Sequence, residues 1–341
     1  MKILILTRNI SDYDADSKQK SETQIKEENF FGYGRVNIKD ALGVKKILNG
    51  THEVKILSLN DDVYSQIEEE KPDVVFNLCD DGFRGDQTLE PHVAAMLDIL
   101  DIPYTGSNYF TLALCQHKVR TKDILTFNNI LTPRFQLFTA AERKLDRTLK
   151  FPMIVKPVRE DGSLGIRERS VVNNEGQLKD EVDHVVTIFK QEALVEEYIE
   201  GREFSVSLIG NRRPIVLPVA EIDFSGMPAK LPKIVSYRAK WVKQSLVYKN
   251  TPIICPANID EKMTKFIEDA ARKCYRILGC RGYARVDFRY DEGDKKLYAL
   301  EVNPNPDVSE EFELAESAKA AGISYSDLIL KILDFALEKR Y

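Results

Sequence analysis

The stretch GYARVDFRY at 282–290, the acidic segment DEGD at 291–294 and the stretch KLYALEVN at 296–303 decide the fold of this chain. Aromatic and β-branched residues alternate with charged ones in both long stretches, which predicts two strands, and DEGD supplies a turn between them. Successive side chains of a strand point to opposite faces, so each strand should carry a polar face. The predicted faces are Tyr283, Arg285, Asp287 and Arg289 on the first strand and Leu297, Ala299, Glu301 and Asn303 on the second.

A tight and symmetric turn would place Asp287 opposite Glu301 and Arg285 opposite Asn303. Two carboxylates that face each other across a ladder repel, so a positive charge should lie between them. Mg²⁺ binds carboxylate oxygens and shares its coordination shell with nucleotide phosphates, which favours a metal site on Asp287, Glu301 and Asn303. The alternative is a pair of exposed edge strands with solvated acids. The neighbouring apolar residues, which favour a packed sheet without excluding that alternative, are Val286, Phe288, Leu300 and Val302.

The composition of the whole chain excludes several classes of function. The 341 residues, 43% of them hydrophobic and 30% charged, predict a folded chain of two or three packed domains. A net charge of −5 with no basic stripe argues against a nucleic-acid partner. No apolar run reaches membrane-spanning length, so we expect no membrane partner. Five scattered cysteines without a paired spacing favour a reduced, cytoplasmic protein over a disulfide framework or a zinc site.

Two patterns of secondary structure divide the chain. Up to about residue 114, apolar strands at 2–7, 54–59 and 73–79 alternate with helical patterns at 38–48, 63–70 and 92–100. Such alternation predicts an α/β domain with a parallel sheet covered by helices on both faces. A single helix is expected at 110–128, and antiparallel α+β structure follows from Thr132. The predicted domains are 1–114, 115–209 and 210–341.

Two upstream segments have the composition of a nucleotide site. The strand FPMIVKP at 151–157 delivers Lys156 just before the glycine-containing loop REDGSLG at 159–165. Backbone N–H groups of such a loop can bind phosphate oxygens, although the loop is not a Walker A motif. In LVEEYIEGRE at 194–203, acids interrupt an apolar strand. That pattern suits an adenine edge and ribose hydroxyls, and a charge run at a strand edge is the alternative.

Taken in this order, these segments resemble the ATP-grasp fold and, within it, the D-alanine–D-alanine ligase family. The resemblance covers nearly the whole chain and implies a three-part architecture, with an N-terminal α/β domain followed by two α+β ATP-grasp subdomains. The segments that carry it are PYTGS at 103–107, HK at 117–118, RTK at 120–122, IVKP at 154–157, GSLG at 162–165, 196–203, GYARVD at 282–287 and LEVN at 300–303.

The resemblance implies a role for individual residues. Residues that would bind ATP are Lys118 and Lys156 at the phosphates, Gly162 and Ser163 in the loop, Glu196 and Ile199 at adenine, and Glu203 at ribose. Residues that would act in catalysis are Lys240, a mobile-loop lysine that reaches the γ-phosphate, and Arg285, which would stabilise the acyl phosphate and the tetrahedral intermediate. Asp287, Glu301 and Asn303 would hold two Mg²⁺ ions, with Mn²⁺ as an alternative.

The chain departs from the family pattern where the substrates are chosen. The family opens with a Gly-Gly-x-Ser-x-Glu turn, and this chain has TRNISDY at 7–13, with an arginine at a glycine position. After the metal-binding asparagine the family has Thr-x-Pro-Gly-Met-Thr, whose backbone receives a carboxylate, and this chain has PNPDVSEE at 304–311. Asp307, Glu310 and Glu311 would repel that carboxylate unless they point to solvent. Candidate residues for substrate contact are Asp80, Asp81, Glu90 and Asp307.

These observations predict an ATP-dependent ligase that joins a small carboxylate to an amine through an acyl phosphate, with its substrates unassigned. A D-alanine–D-alanine ligase of cell-wall synthesis is one alternative. A non-catalytic ATP-binding sensor, from a different class, is another. The resemblance also leads us to expect a homodimer.

Overall fold

Alternate side chains of the first strand enter two different cores. The computed structural model describes residues 1–8, 33–140 and 144–338. In β1, Ile3 and Ile5 pack in one buried cluster, whereas Leu4 and Leu6 pack in another on the opposite face of the sheet. The sheet is parallel with the strand order β2-β1-β3, which confirms the predicted α/β domain. Its elements are β1 (Lys2–Thr7), α1 (Tyr33–Leu48), β2 (Glu53–Ser58), α2 (Val63–Glu70), β3 (Val74–Leu78) and α3 (Glu90–Ile99).

The predicted helix at 110–128 is two helices, α4 (Tyr109–Gln116) and α5 (Lys118–Phe127). His117 separates them because its backbone, at φ −86° and ψ 87°, leaves the helical region. The break gives α5 its own N-terminus at Lys118, whose backbone N–H donates to the Val158 carbonyl at 3.2 Å. The break therefore brings Lys118 to the strand that carries Lys156.

A four-stranded sheet forms the next layer, in the order β4-β7-β5-β6. The helix α6 covers it, with Leu178, Val182 and Val185 packed against Met153 and Val155. The sequence interpretation had placed no helix here, although Asn174 caps this one by accepting the Gln177 N–H. The elements are β4 (Phe135–Phe138), β5 (Met153–Pro157), β6 (Val171–Val172), α6 (Glu175–Ile188) and β7 (Ala193–Glu197).

A second antiparallel sheet faces the first, in the order β11-β10-β8-β12-β13, with β9 paired to β8. Helix α9 begins after Asp260, whose side chain accepts the Met263 N–H, and packs Ile267 and Ala271 into the sheet's core. The elements are β8 (Arg202–Ile209), β9 (Ile215–Val216), β10 (Ala220–Ile222), α7 (Tyr237–Trp241), α8 (Leu246–Lys249), β11 (Ile253–Ile254), α9 (Glu261–Ile277), β12 (Tyr283–Asp291) and β13 (Lys296–Asn303).

The pairing predicted for the late hairpin is confirmed. Asp287 pairs with Glu301, and Arg285 pairs with Asn303. Strand β12 lies between β8 and β13, so it is not an edge strand. The alternative of two exposed edge strands therefore fails for the strand that carries Arg285 and Asp287.

The face predicted for β13 is wrong, because the strand contains a bulge. Phe288 pairs with Ala299, which leaves Leu300 as one extra residue. Leu297 and Ala299 consequently lie in the buried core together with Val302, and Leu300 lines the cleft instead. The bulge thus adds an apolar side chain to the wall beside the acids.

The chain returns to its N-terminal sheet at the end. Helices α10 (Glu313–Ala320) and α11 (Tyr325–Leu337) follow β13, and Leu328 and Ile332 of α11 pack with Ile3 and Ile5 of β1. The domain boundaries proposed from the sequence remain predictions. Among the described residues, no helix has the length and apolar character needed to span a bilayer.

Candidate active site

A cleft with about 980 Å³ of open space lies between the two antiparallel sheets. Most of the residues assigned to ATP and metal binding from the sequence line it, and the structure therefore brings them together. These residues are Lys118, Lys156, Ser163, Glu196, Ile199, Glu203, Lys240, Arg285, Asp287 and Glu301.

A buried ion triad forms one wall of the cleft. Both oxygens of Glu196 contact lysines: Oε2 lies 2.8 Å from Lys122 Nζ, and Oε1 accepts a hydrogen bond from Lys156 Nζ. Burial acts to raise the pKa of Glu196, but the two lysines outweigh it and lower that pKa to about 2. Glu196 therefore holds Lys156 in the cleft as a fixed anion. Both oxygens of Glu196 already bind lysines in this structure. The contact of Glu196 with adenine that the family resemblance implies remains a prediction.

The glycine loop lies against the segment that carries Lys240. Gly162 and Ser163 both have positive φ, at +60° and +64°. The Gly162 carbonyl accepts a hydrogen bond from Trp241 Nε1 at 2.8 Å, and Ser163 Oγ donates to the Val235 carbonyl at 2.8 Å. These bonds join the candidate phosphate-binding loop to α7 and to the segment just before it.

Four cations converge on Glu301. Burial acts to raise the pKa of Glu301, but attraction to Lys118, Arg285, Lys156 and Lys240, in that order, holds it below its ordinary value. Lys118 Nζ donates to the Glu160 carbonyl, which fixes this lysine beside the glycine loop. Such a concentration of positive charge around one carboxylate suits the transfer of a phosphoryl group, whose oxygens carry negative charge.

Arg285 provides the positive charge that the facing carboxylates require. Its Nε and Nη2 contact both oxygens of Asp287 at 2.8–3.1 Å, and Nη2 lies 3.8 Å from Glu301 Oε1. On the other side of the guanidinium, Nη1 lies 4.0 Å from Glu313 Oε2. Three carboxylates thus surround one arginine, which is 6% exposed.

The donor atoms fit a hard divalent cation in type. Carboxylate and amide oxygens of Asp287, Glu301 and Asn303 are the ligands that Mg²⁺ prefers. Asp287 is bound by Arg285, and Asn303 Oδ1 accepts the Asn305 N–H at 2.9 Å. Within the described residues, no group of three His, Cys, Asp or Glu side chains is arranged for a metal. A metal ion would therefore share Asp287 with Arg285, and it would need ligands from the nucleotide itself.

The apolar end of the cleft suits a base and a ribose. Ile154, Ile222 and Ile234 line it, near the 197–199 segment. Arg289 bridges this end, because its Nε donates to the Ile199 carbonyl at 2.9 Å and its Nη1 binds Glu203 Oε2 at 2.8 Å. The sequence interpretation placed Arg289 on this face without a role.

The four candidates for substrate contact do not form one group. Asp80 and Asp307 line a smaller pocket of about 270 Å³ together with Asp40. Asp81 instead forms a buried ion pair with Arg8, at 3.3 Å between Oδ2 and Nη1. Residues 9–13 of the opening turn, which departs from the family pattern, lie outside the described residues.

Glu90 acts on the segment that follows β13. Its Oε1 accepts a hydrogen bond from Asn305 Nδ2 at 2.7 Å, and Asn305 Oδ1 accepts one from Tyr283 at 2.6 Å. Burial raises the pKa of Glu90 to about 8, against the opposing effect of the Asn305 hydrogen bond. Glu90 therefore orients the segment after Asn303 rather than facing the cleft.

Of the three acids expected to repel a carboxylate, two point to solvent. Glu310 and Glu311 are exposed, and Glu311 pairs with Lys39 at 3.1 Å and Lys243 at 3.3 Å. Asp307 is half-buried, and its side chain accepts the Ser309 N–H at 2.8 Å. Residues of the site that the sequence interpretation gave no role are Lys122, Trp241, Arg289 and Glu313. Lys122 lies in the segment RTK at 120–122, which carries the family resemblance, but nothing in the local sequence marks Glu313.

Comparisons with known proteins agree on one family. The family model described as D-ala D-ala ligase C-terminus matches residues 123–334. A D-alanine–D-alanine ligase of Carboxydothermus hydrogenoformans is 34% identical over 309 residues, which are 88% of this chain and 93% of the relative. The uncharacterized protein y4sG of Sinorhizobium fredii is 37% identical over 268 residues, which are 79% of this chain and 75% of that protein.

A solved structure shares the fold over the whole chain. The crystal structure of a D-alanine–D-alanine ligase from Bacillus anthracis complexed with ATP superposes with a TM-score of 0.72 at 23% identity. The match covers 99% of this chain and 97% of that one. At this identity the match shows the fold, and it confirms the three-part architecture expected from the sequence.

Proposed function

This chain belongs to the D-alanine–D-alanine ligase family of ATP-grasp enzymes, which form C–N bonds, and we propose that it joins a carboxylate to an amine through an acyl phosphate. The observation that carries this proposal is the convergence of Lys118, Lys156, Lys240 and Arg285 on the acid-lined end of one cleft. The Bacillus anthracis ligase that shares this fold was crystallised with ATP, which supports ATP as the nucleotide.

In the first step, an oxygen of the donor carboxylate attacks the γ-phosphorus of ATP. The bond from that phosphorus to the bridging oxygen breaks, and ADP leaves with the bonding electrons. Lys118, Lys156 and Lys240 line the cleft where the transferring group would lie, and they offset its negative charge. Asp287, Glu301 and Asn303 would hold Mg²⁺, or Mn²⁺ in its place, which supplies further positive charge to the phosphate oxygens when bound.

In the second step, the acceptor nitrogen attacks the carbonyl carbon of the acyl phosphate. A C–N bond forms, the C–O bond to phosphate breaks, and the proton lost by the nitrogen passes to the departing phosphate. Arg285 would stabilise the oxyanion of the tetrahedral intermediate, and its contacts with Asp287 and Glu301, which hold the guanidinium in one orientation, support this role. The contacts of Trp241 and Ser163 join α7 to the glycine loop, and with substrates bound this cover would exclude the water that would otherwise hydrolyse the acyl phosphate.

Ligation of two D-alanines is the second candidate, because the similar proteins of Carboxydothermus hydrogenoformans and Moorella thermoacetica are named D-alanine–D-alanine ligases. Asp307, the one of the three acids after Asn303 that does not point to solvent, favours a different acceptor, and we therefore leave the substrates unassigned. By the same family resemblance we propose that the enzyme is a homodimer.

Turnover with a panel of substrates tests this proposal. The enzyme with ATP and Mg²⁺ is offered pairs of D- and L-amino acids, amino-acid amides and simple amines. ADP is measured in a coupled assay, and products are identified by mass spectrometry. We expect ADP and an amide in equal amounts for at least one pair. Efficient turnover with D-alanine as the sole substrate would establish the second candidate, and ATP binding without ADP formation from any pair would indicate a sensor.

A further inference from the structure

Glu313 lies at the reacting end of the cleft, opposite the metal candidates. It is the first residue of α10, and its side chain lines the cleft with 14% of its surface exposed. Its Oε2 is 4.0 Å from Arg285 Nη1, whereas the other amino group of that arginine, Nη2, faces Asp287 at 2.8 Å. Arg285 therefore separates two regions: the nucleotide and metal side, and a region beyond it that Glu313 borders.

Glu313 is charged in the folded protein. Burial acts to raise its pKa, but attraction to Arg285 and Lys240 and a hydrogen bond from its own backbone N–H outweigh burial and lower that pKa. The side chain consequently remains a carboxylate at neutral pH. It is held by the three positive features that lie around it, namely a guanidinium, an ammonium and the N-terminus of a helix.

Those three features would otherwise attract a carboxylate from a substrate. An arginine, a lysine and free N–H groups at the start of a helix form an environment that binds anions. Here the protein fills that environment with its own carboxylate. An acceptor that brought its own carboxylate to this place would meet the like charge of Glu313.

We propose that Glu313 is a specificity-determining residue that selects amine acceptors without a free carboxylate beside the nucleophilic nitrogen. Suitable acceptors are primary amines, amino-acid amides and the N-termini of peptides. Such acceptors arrive as ammonium ions, which Glu313 attracts before the ammonium group loses a proton to solvent and the nitrogen attacks. This inference rests on the proposed ligase activity and specifies its acceptor.

Matched pairs of acceptors test the inference with the full-length enzyme. The pairs are glycine and glycinamide, and D- and L-alanine with D- and L-alaninamide, each offered with every donor of the panel. We expect the wild-type kcat/KM to be about ten-fold higher for the amide of each pair that is used. Glu313→Gln should lower this preference at least about five-fold, because it removes the charge and retains the shape.

Two further variants separate selectivity from structure. Glu316→Gln removes a charge from the same helix at a residue paired with Lys319, 3.7 Å away, and should leave the preference unchanged. Glu313→Asp keeps the charge and should retain most of the preference. Comparing amide-to-acid ratios between variants also cancels the intrinsic difference in reactivity between amides and acids.

Three outcomes would overturn the inference in distinguishable ways. Equal use of acids and amides by the wild-type enzyme would contradict the proposed acceptor class. An unchanged ratio in Glu313→Gln would remove Glu313 from the choice of acceptor while leaving ligase activity intact. No ADP with any pair, although ATP binds, would instead contradict the proposed function on which the inference depends.

Discussion

Replacing Asp287 with asparagine should reduce the rate of ADP formation about 100-fold or more while the protein remains folded. Asp287 orients Arg285, and in the proposed site it would also supply a carboxylate oxygen for a divalent cation. Asparagine has nearly the same shape, but it has no charge and offers a single oxygen. The substitution therefore weakens two forms of charge stabilisation at once. Initial rates over a range of Mg²⁺ concentrations measure the effect.

The matched control for this experiment is Asp294→Asn in the turn of the same hairpin. Asp294 is exposed and pairs only with Lys296, at 3.0 Å, among the described residues. The Asp294→Asn variant should retain the full rate of ADP formation. A normal rate for Asp287→Asn, at all Mg²⁺ concentrations, would refute the assignment of Asp287 to the metal and to Arg285. Thermal unfolding of both variants establishes that they are folded.

The second large effect is expected from Glu196→Gln. This change leaves Lys122 and Lys156 buried without the anion that both of them contact. Breaking a buried ion pair by removing one partner typically costs about 3–5 kcal/mol, because the remaining charge is left without compensation. We therefore expect the free energy of unfolding to fall by about that amount. Urea unfolding followed by the fluorescence of Trp241, the only tryptophan of the chain, measures it.

The charge of Glu196 also predicts the direction of a pH effect. Because its folded pKa is lowered from 4.5 to about 2, its contribution to stability is complete above pH 4.5 and is lost as the pH falls toward 2. Glu200→Gln is the control, since Glu200 is exposed a few residues further along the chain. If Glu196→Gln lowers the free energy of unfolding no more than this control does, the triad does not stabilise the fold.

Local sequence patterns were sufficient to predict the two strands that carry the site. Alternation between polar and apolar residues in 282–303 predicted both strands and the pairs Asp287–Glu301 and Arg285–Asn303. It could not reveal the bulge at Leu300, because one extra residue leaves no mark in a run of mostly apolar residues. The break at His117 was missed for a similar reason, since the residues on both sides are compatible with one helix.

Contacts between distant segments could not be read from the sequence. Lys122 of α5 meets Glu196 of β7 only when that helix packs against its sheet. Glu203 of β8 meets Arg289 only when β8 pairs with β12, which lies far along the chain. Glu313 follows β13 by ten residues, and it reaches Arg285 because the chain turns back to begin α10. Residues of this kind have no local signal, and the packed structure is needed to find them.

The fate of one oxygen atom tests the central claim most directly. The donor carboxylate that supports turnover is labelled with ¹⁸O, and the released phosphate is analysed by mass spectrometry. If an acyl phosphate forms, one labelled oxygen passes from the carboxylate to phosphate for each amide produced. Release of unlabelled phosphate, or of label in AMP, would contradict the mechanism proposed for this cleft.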